Sequence, residues 1–504
     1  MEDIRVPDVW LQGIGFKLGN PFSTREASRE PEPALLQYFI NHPGFDDVMG
    51  DALHPMSAFL VAERGCGKTT TRRAIEWNCL AGRPNGLILP IPYLEFSAPL
   101  EYADESGKVP IDYHLKMIIK EAVPLLLERL AQNSNFIDAF SLGFRKMLAE
   151  YLAQYTDLNT DVGLDKWLRK IGYQHKKINS EILSSGKNFK GDVFLRFLIE
   201  LLEIAPEQQN KKKLSATEQM AEFVLLIELA GYKAVYILID RLDEREPMSS
   251  DPRYAANLLA SLVTNLPILE LDKVAFKFFL TPAIMNVILE HGAFRADRLM
   301  IRHINWGADD LQRLLDRRVE VFTKGALPSL DVVCEPDLAG SLVSRLASLA
   351  DGSPRNMMRL AEWLLFWHHA RNTSKNRLLI SKDDLARAAK SFENEIRTTP
   401  RISNETLLPV RVDESNYVWR GSIKLKRLPV LQGKLLRYLI EQKGKVCSYS
   451  SLRGVVYNEI NTERIMGDNR IDQLVKRIRQ VVEVDPSHPK YIIKAPEEKG
   501  YVFE

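Results

Sequence analysis

Apolar residues in this chain fall into two regimes. Short apolar runs, Phe59–Val61, Val235–Ile239 and Val274–Leu280 with its single Lys277, are bounded by polar or turn residues, as strands buried on both faces are, and Met300–Trp306 looks like another strand. Leu87–Phe96 is similar, but its prolines predict an edge or irregular strand. Elsewhere the spacing is three and four. It is helical in Leu115–Leu127 and Val193–Ile204, predicting a helical insertion over about 112–230, and again throughout 309–392. Within the latter, Ser353 and Pro354 read as the N-cap and first residue of a helix over Met357–Ala370. Ahead of the first strand, Asn20-Pro-Phe22, the proline-bearing Glu30–Pro33 and an amphipathic run Ala34–Ile40 predict a lead-in loop and a helix beside the site described next.

The first strand runs into Ala62-Glu-Arg-Gly-Cys-Gly-Lys-Thr-Thr70, then a helix-compatible run to Leu80. Strand, glycine loop and helix in this order make a phosphate-binding loop. Glu63, Arg64, Gly65, Cys66 and Gly67 would present backbone N–H groups to phosphates. Lys68 would reach the β/γ-phosphates of ATP, Thr69 would hold Mg²⁺, and Thr70 opens the helix. Ala62 stands where the pattern expects its first glycine. Downstream, Val235–Ile239 ends in Asp240, Asp243 and Glu244. Carboxylates at the carboxyl end of such a strand lie beside the loop in a doubly wound sheet. Asp240 is then the candidate to hold Mg²⁺ through its bound water, Glu244 the first candidate to orient the attacking water and Asp243 the second. Thr281, after Val274–Leu280, could read the γ-phosphate or cap a helix. Arg295 and Arg298 could project toward a neighbouring subunit's nucleotide, which predicts self-association through this core. Arg355, in the first turn of its helix, sits where the dipole disfavours a cation; it serves a bound phosphate or a nearby acid.

The fold expected is α/β: a parallel sheet with helical insertion and helical lid, followed by a smaller domain. The boundaries read as 1–58 lead-in, 59–307 sheet core, 308–397 lid, 398–407 polar linker and 408–504 terminal domain. That last part alternates short strands (Leu408–Val412, Tyr417–Trp419, Ser422–Leu425) with helices at Leu431–Glu441, Tyr449–Asn458 and 469–483, closing on a hairpin at Tyr491–Phe503. Strand platform, three helices and hairpin make a winged helix. Composition bounds the partners. At 504 residues, two to four domains are expected, and a net charge of +2 excludes a polycation. The four scattered cysteines form no C-x-x-C pair, which argues against disulfides and zinc. No apolar run long enough for a membrane span and no signal-like N-terminus are read, so a cytoplasmic, non-membrane protein is expected.

Two resemblances add to this. About residues 20–390 resemble P-loop ATPases of the AAA+/STAND superclass, origin-recognition-like ones in particular, through Asn20-Pro-Phe22, Ala62–Thr69, Ile237–Glu244, Thr281 and Gly352–Arg355. The order Asp240-x-x-Asp243-Glu244 is similar to the NACHT and KAP branches, and Arg241 occupies the position of the usual AAA+ catalytic acid. The last 95 or so residues resemble the OmpR/PhoB-type regulator domain through Leu435–Leu439, Gly444–Val446, Asn469–Asp472, Val475–Arg479 and Gly500–Phe503. That resemblance implies duplex DNA as partner, with Asn469, Arg470, Gln473, Lys476, Arg477 and Arg479 as phosphate or base contacts. Residues 424–504 hold 16 Lys+Arg against 10 Asp+Glu, in keeping with DNA, whereas Glu497 and Glu498 put acids at the expected wing tip. Three functions follow as expectations: an ATP-binding, ATP-hydrolysing switch with a DNA-binding winged helix; a host-defence signalling ATPase whose winged helix docks a protein effector; or a transcriptional regulator with a non-hydrolysing nucleotide domain.

Overall fold

In the computed structural model, the residues described are all but 1–5, 24–31, 43, 81–86, 105, 133, 159, 173–192, 205–213, 291–292, 373–378, 399–409, 421–422, 458–467, 484–488, 496–499 and 504. The chain divides into two units, Met1–Asn394 and Glu395–Glu504.

Five parallel strands carry the first unit: β1 (Ala58–Val61), β2 (Ile88–Tyr93), β3 (Ala234–Ile239), β4 (Val274–Leu280) and β5 (Met300–His303), in the order β2-β3-β4-β1-β5. The proline-bearing β2 is an edge strand, where Pro90 and Pro92 can do without an N–H on the open side. Every residue of β1, β3 and β4 is buried, because both faces are covered. Alternate side chains go to different cores. Phe59, Val61, Val235, Ile237, Ile239, Phe276 and Phe278 share one cluster with the helices Ile111–Gln132, Leu142–Tyr155, Val193–Glu203 and Ala216–Leu229. Ala58, Leu60, Tyr236, Leu238, Ala275 and Phe279 face the helix Lys68–Leu80 through Ala74, Ile75 and Cys79. The predicted insertion is therefore no appendage; it supplies the cover of one sheet face.

The helices Ala308–Phe322, Leu342–Ala350 and Pro354–Arg371 form a further apolar cluster of their own. Here the structure departs from expectation. Leu11, Phe16 and Phe22 of the lead-in belong to this helical layer, with Lys17 and Leu18 donating backbone N–H groups to the Phe322 carbonyl. The predicted Ala34–Ile40 helix forms as Glu32–Gln37 and does pack on Lys68–Leu80.

The second unit holds an antiparallel sheet of β6 (Val410–Val412), β7 (Tyr417–Arg420) and β8 (Ile423–Arg427), and a second one of β9 (Cys447–Ser448), β10 (Ile492–Lys494) and β11 (Gly500–Phe503) in the order β10-β11-β9. Three helices, Val430–Glu441, Tyr449–Tyr457 and Asp468–Val482, complete a winged helix. Ile471, Val475, Ile478 and Val482 recur at spacings of four, three and four and are fully buried, which fixes the inner face of the last helix. The predicted linker 398–407 and the acidic wing tip 496–499 lie outside the described residues, apart from Thr398, which ends a helix.

Among the buried polar positions, one lies inside a central strand. Lys277, in the middle of β4, is fully buried; its Nζ donates to the Met56 carbonyl at 2.7 Å and stands 4.5 Å above the Tyr236 ring. Burial pushes its ammonium down to about 7. An unfolded chain keeps that proton up to about pH 10. The unfolded state thus binds more protons between the two values, so stability gains with rising pH there and is lost as pH falls toward the lower one. Urea unfolding should show the wild type gaining up to about 1.4 kcal/mol per pH unit, relative to Lys277→Met, from about pH 7 to about pH 10. Parallel pH profiles for the two proteins would contradict this assignment.

Candidate nucleotide-binding site

The carboxyl edge of the sheet gathers the sequence-predicted residues. β1 ends at Val61, and the Ala62 N–H donates to the Leu280 carbonyl at 3.0 Å, extending the β1–β4 ladder by one residue. Ala62 is buried and is not among the residues with positive φ, so no glycine is required there. The loop then turns on Gly65 (φ +84°) and Gly67 (φ +96°), where a left-handed backbone does favour glycine. The helix starts at Lys68 itself, with Thr69 and Thr70 half-buried in its first turn. Thr71 bonds the Gly67 carbonyl and the buried His42 ring.

Lys68 is buried, and its Nζ donates to the loop carbonyls of Ala62 (2.9 Å) and Glu63 (3.3 Å). Burial lowers its pKa, opposed by the charges of Asp243 and Asp240. The helical layer closes over the same loop. The Trp306 indole donates to the Cys66 carbonyl at 3.0 Å. A Cβ added at Gly65 would come within 3.0 Å of the Arg355 Cβ, so Arg355 packs directly on the loop. Arg355 thus lies against the glycine loop.

The acids are arranged differently from expectation. Asp240 is almost completely buried, and both its oxygens already accept: Oδ2 from the Arg72 Nε at 3.1 Å, Oδ1 from the Arg241 N–H at 2.9 Å. Asp243 accepts from the Arg64 Nε at 3.0 Å. The Glu244 side chain is 56% exposed and 3.8 Å from the Arg241 Nε. Arg241 itself has φ +69°, a conformation few non-glycine residues adopt. Thr281 caps the helix Pro282–Leu289, accepting from the Ile284 N–H. It follows β4, which lies between β1 and β3, so it stands between the loop and Asp240 at this edge. Arg295 and Arg298, expected at a neighbouring subunit's nucleotide, lie away from this chain's own loop. They precede β5, whose start is in register with Ala58, at the opposite edge of the sheet, and they pair with Asp297 and Glu270.

The site fits phosphate better than it fits a metal ion. The glycine turn, the helix start and a buried lysine held only by loop carbonyls suit a triphosphate. The proposed Mg²⁺ pair does not: Thr69 is available, but Asp240 is held by a guanidinium and a backbone N–H. Among the described residues, no group of three or more His, Cys, Asp or Glu could hold a metal ion. Arg72 was not foreseen. Its signal was present, four residues beyond Lys68 and so on the same helix face. Trp306 likewise had no motif to mark it.

In the winged helix, Arg470, Gln473, Lys476 and Arg477 are exposed on the outer face of Asp468–Val482. The Asn469 side chain lies outside the described residues. Arg479 departs from its expected role. It donates twice to the Ile492 carbonyl, at 2.9 and 2.6 Å, and its guanidinium lies 5.5 Å from the Tyr501 ring centroid. It therefore ties the helix to the β10–β11 hairpin. Asp472 adds to this, accepting from the Tyr449 and Tyr501 hydroxyls at 2.6 Å each. Charged hydrogen bonds of the Arg479 kind are each worth roughly 1.5–3 kcal/mol. Arg479→Ala should accelerate hydrogen exchange in Ile492–Lys494 and Gly500–Phe503 of the full chain by about tenfold or more, while Lys476→Ala and Arg477→Ala leave it unchanged. Equal protection in all three variants would refute the tether.

Residues 426–503 match the family model described as "Transcriptional regulatory protein, C terminal", from within β8 to the end of β11. Among solved structures, the chain is similar to the response regulator DrrB, a Thermotoga maritima OmpR/PhoB homolog, at 23% identity over 22% of this chain and 52% of that one, with a TM-score of 0.17. It thus spans about half the length of that regulator. It is also similar to the Aeropyrum pernix ORC1 protein, solved in complex with DNA, at 12% identity over 94% of this chain and 93% of that one, with a TM-score of 0.35. No curated protein matches the chain. Among the described residues, no helix is long and apolar enough to cross a membrane.

Proposed function

We propose that this chain is a nucleotide-operated switch: ATP binds the Gly65–Lys68 loop, and the winged helix binds duplex DNA. The observation that carries the reading is the meeting of two cations from different layers on one loop. Lys68 comes from the sheet side, and Arg355, from the helical layer, packs on Gly65. A triphosphate touching both would bind best to the arrangement that brings the layers together, and would shift the population toward it. Lys68 would exchange its two carbonyl partners for phosphate oxygens, a charge-assisted contact. The bound phosphates would also favour its protonated form against the burial that lowers its pKa.

Hydrolysis is a separate question, and one observation favours a second reading. Asp243 is held by Arg64, and Glu244 points to solvent beside Arg241. A domain that binds nucleotide with little turnover fits those pairings. ATP turnover measured with and without duplex DNA separates the two readings: turnover stimulated by DNA supports the hydrolysing switch, and tight binding with no turnover supports the second.

Lys68→Ala should lower ATP affinity by about tenfold or more in calorimetry, since such contacts are worth roughly 1.5–3 kcal/mol. Unchanged affinity would sink the phosphate-loop reading.

For the winged helix, the outward stripe of Arg470, Gln473, Lys476 and Arg477 is the surface proposed to meet DNA. Its inner face is committed to the core, so a groove could meet only the outer one. Each phosphate neutralised contributes about −0.9 to the log–log salt slope of binding. The double change Lys476→Ala with Arg477→Ala should flatten that slope by about 1.8. A slope that does not move would place the DNA contact elsewhere.

A further inference from the structure

Arg72 belongs to no part of the proposed nucleotide chemistry, yet it is the best-buried cation beside the loop. Its side chain is only 5% exposed. It leaves the helix one turn after Lys68 and reaches the Asp240 carboxylate at the end of β3. Its other arm bonds the Glu76 carboxylate at 2.7 Å, one further turn along the same helix. The guanidinium is therefore oriented from two sides, in a fixed plane, between two acids. Arginine stays charged at any working pH, so this charge is permanent.

The consequence concerns Asp240. At the carboxyl end of a sheet strand beside a phosphate loop, such a carboxylate is useful to a divalent cation as uncommitted negative charge. Here one oxygen accepts from Arg72 and the other from the Arg241 N–H. The second acid whose field reaches Lys68 is also paired: Asp243 accepts from Arg64, a residue of the loop itself. Both carboxylates that face Lys68 are thus matched by the chain's own guanidinium groups. Mg²⁺ demands near-octahedral oxygen ligation and sheds water reluctantly. To recruit Asp240 it would have to share a carboxylate whose charge a buried, doubly oriented guanidinium already offsets.

We infer that Arg72 provides, as a built-in part of the fold, the positive charge that offsets Asp240, and that the loop takes a nucleoside triphosphate with little dependence on Mg²⁺. The inference rests on the nucleotide-binding reading above and deepens it. Negative charge on the triphosphate is met by Lys68 and by Arg355 at Gly65, while Arg72 keeps Asp240 from repelling it.

The test is calorimetric titration of the full chain with ATP, once in excess Mg²⁺ and once in EDTA. The wild type should bind with dissociation constants within about threefold of each other, a difference well under one tenfold step of 1.4 kcal/mol. Arg72→Met removes the guanidinium but keeps an unbranched apolar stem. It should weaken binding in EDTA by about tenfold or more and recover part of that loss in Mg²⁺, as Asp240 becomes free to attract the ion. A wild type that loses about tenfold or more in EDTA would overturn the inference while leaving nucleotide binding intact. No binding under either condition would overturn the nucleotide reading, and this inference with it. Should Arg72→Met fail to fold, the wild-type comparison alone decides the matter.

Discussion

A parallel sheet must be covered on both faces, and most of this molecule follows from that requirement. Strands β3 and β4 are buried along their whole length, so each sends alternate side chains into two different apolar layers. One layer is built by the long insertion between β2 and β3, the other by the helix that begins at Lys68. The glycine loop at Gly65 and Gly67 is the turn between β1 and that second layer. Its geometry is thereby set by packing on either side: Ala62 is held to β4, and Ala74 and Ile75 are sealed against the sheet. A loop anchored at both ends is a preorganised cradle rather than a flexible one.

The strand order matters as much as the cover. β4 lies between β1 and β3, so the glycine loop and the acids of β3 are two strands apart, about 10 Å at the spacing of neighbouring strands. Arg64 and Arg72 bridge that interval, from the loop and from the helix respectively. Lys277 in β4 is a further polar intrusion into the same sheet, satisfied by one carbonyl and one aromatic face. Charge inside this unit is thus placed pair by pair, as burial demands.

In the winged helix the division of labour runs along a single helix. Ile471, Val475, Ile478 and Val482 commit one face to the core. Asp472 and Arg479 fasten its flanks to Tyr449, Tyr501 and the Ile492 carbonyl. What remains outward is Arg470, Gln473, Lys476 and Arg477. The same arithmetic that holds the helix in place defines the surface it can offer a partner.

Much of this was legible in the chain. Apolar runs marked β1 and β3, and β4 apart from Lys277, because strands buried twice need no alternation, and prolines placed β2 at an edge. The glycines at 65 and 67 marked the loop, since only a left-handed turn there demands them. The period of the last helix marked its buried face. What periodicity could not reveal was which charges meet. Arg479 and Arg477 look alike in sequence, yet one is bonded to a backbone carbonyl and the other faces solvent. Nothing in the sequence near Asp240 shows that Arg72, 168 positions earlier, donates to its carboxylate. Arg295 and Arg298 carry no sequence mark of which edge they occupy; the register of β5 puts them at the edge away from this chain's own loop. Sequence by itself determined the elements and their apolar faces, because burial is set by residue type and local spacing. Only the tertiary structure decided the role of each charge, because an ion pair depends on two groups brought within about 4 Å by every element folded between them.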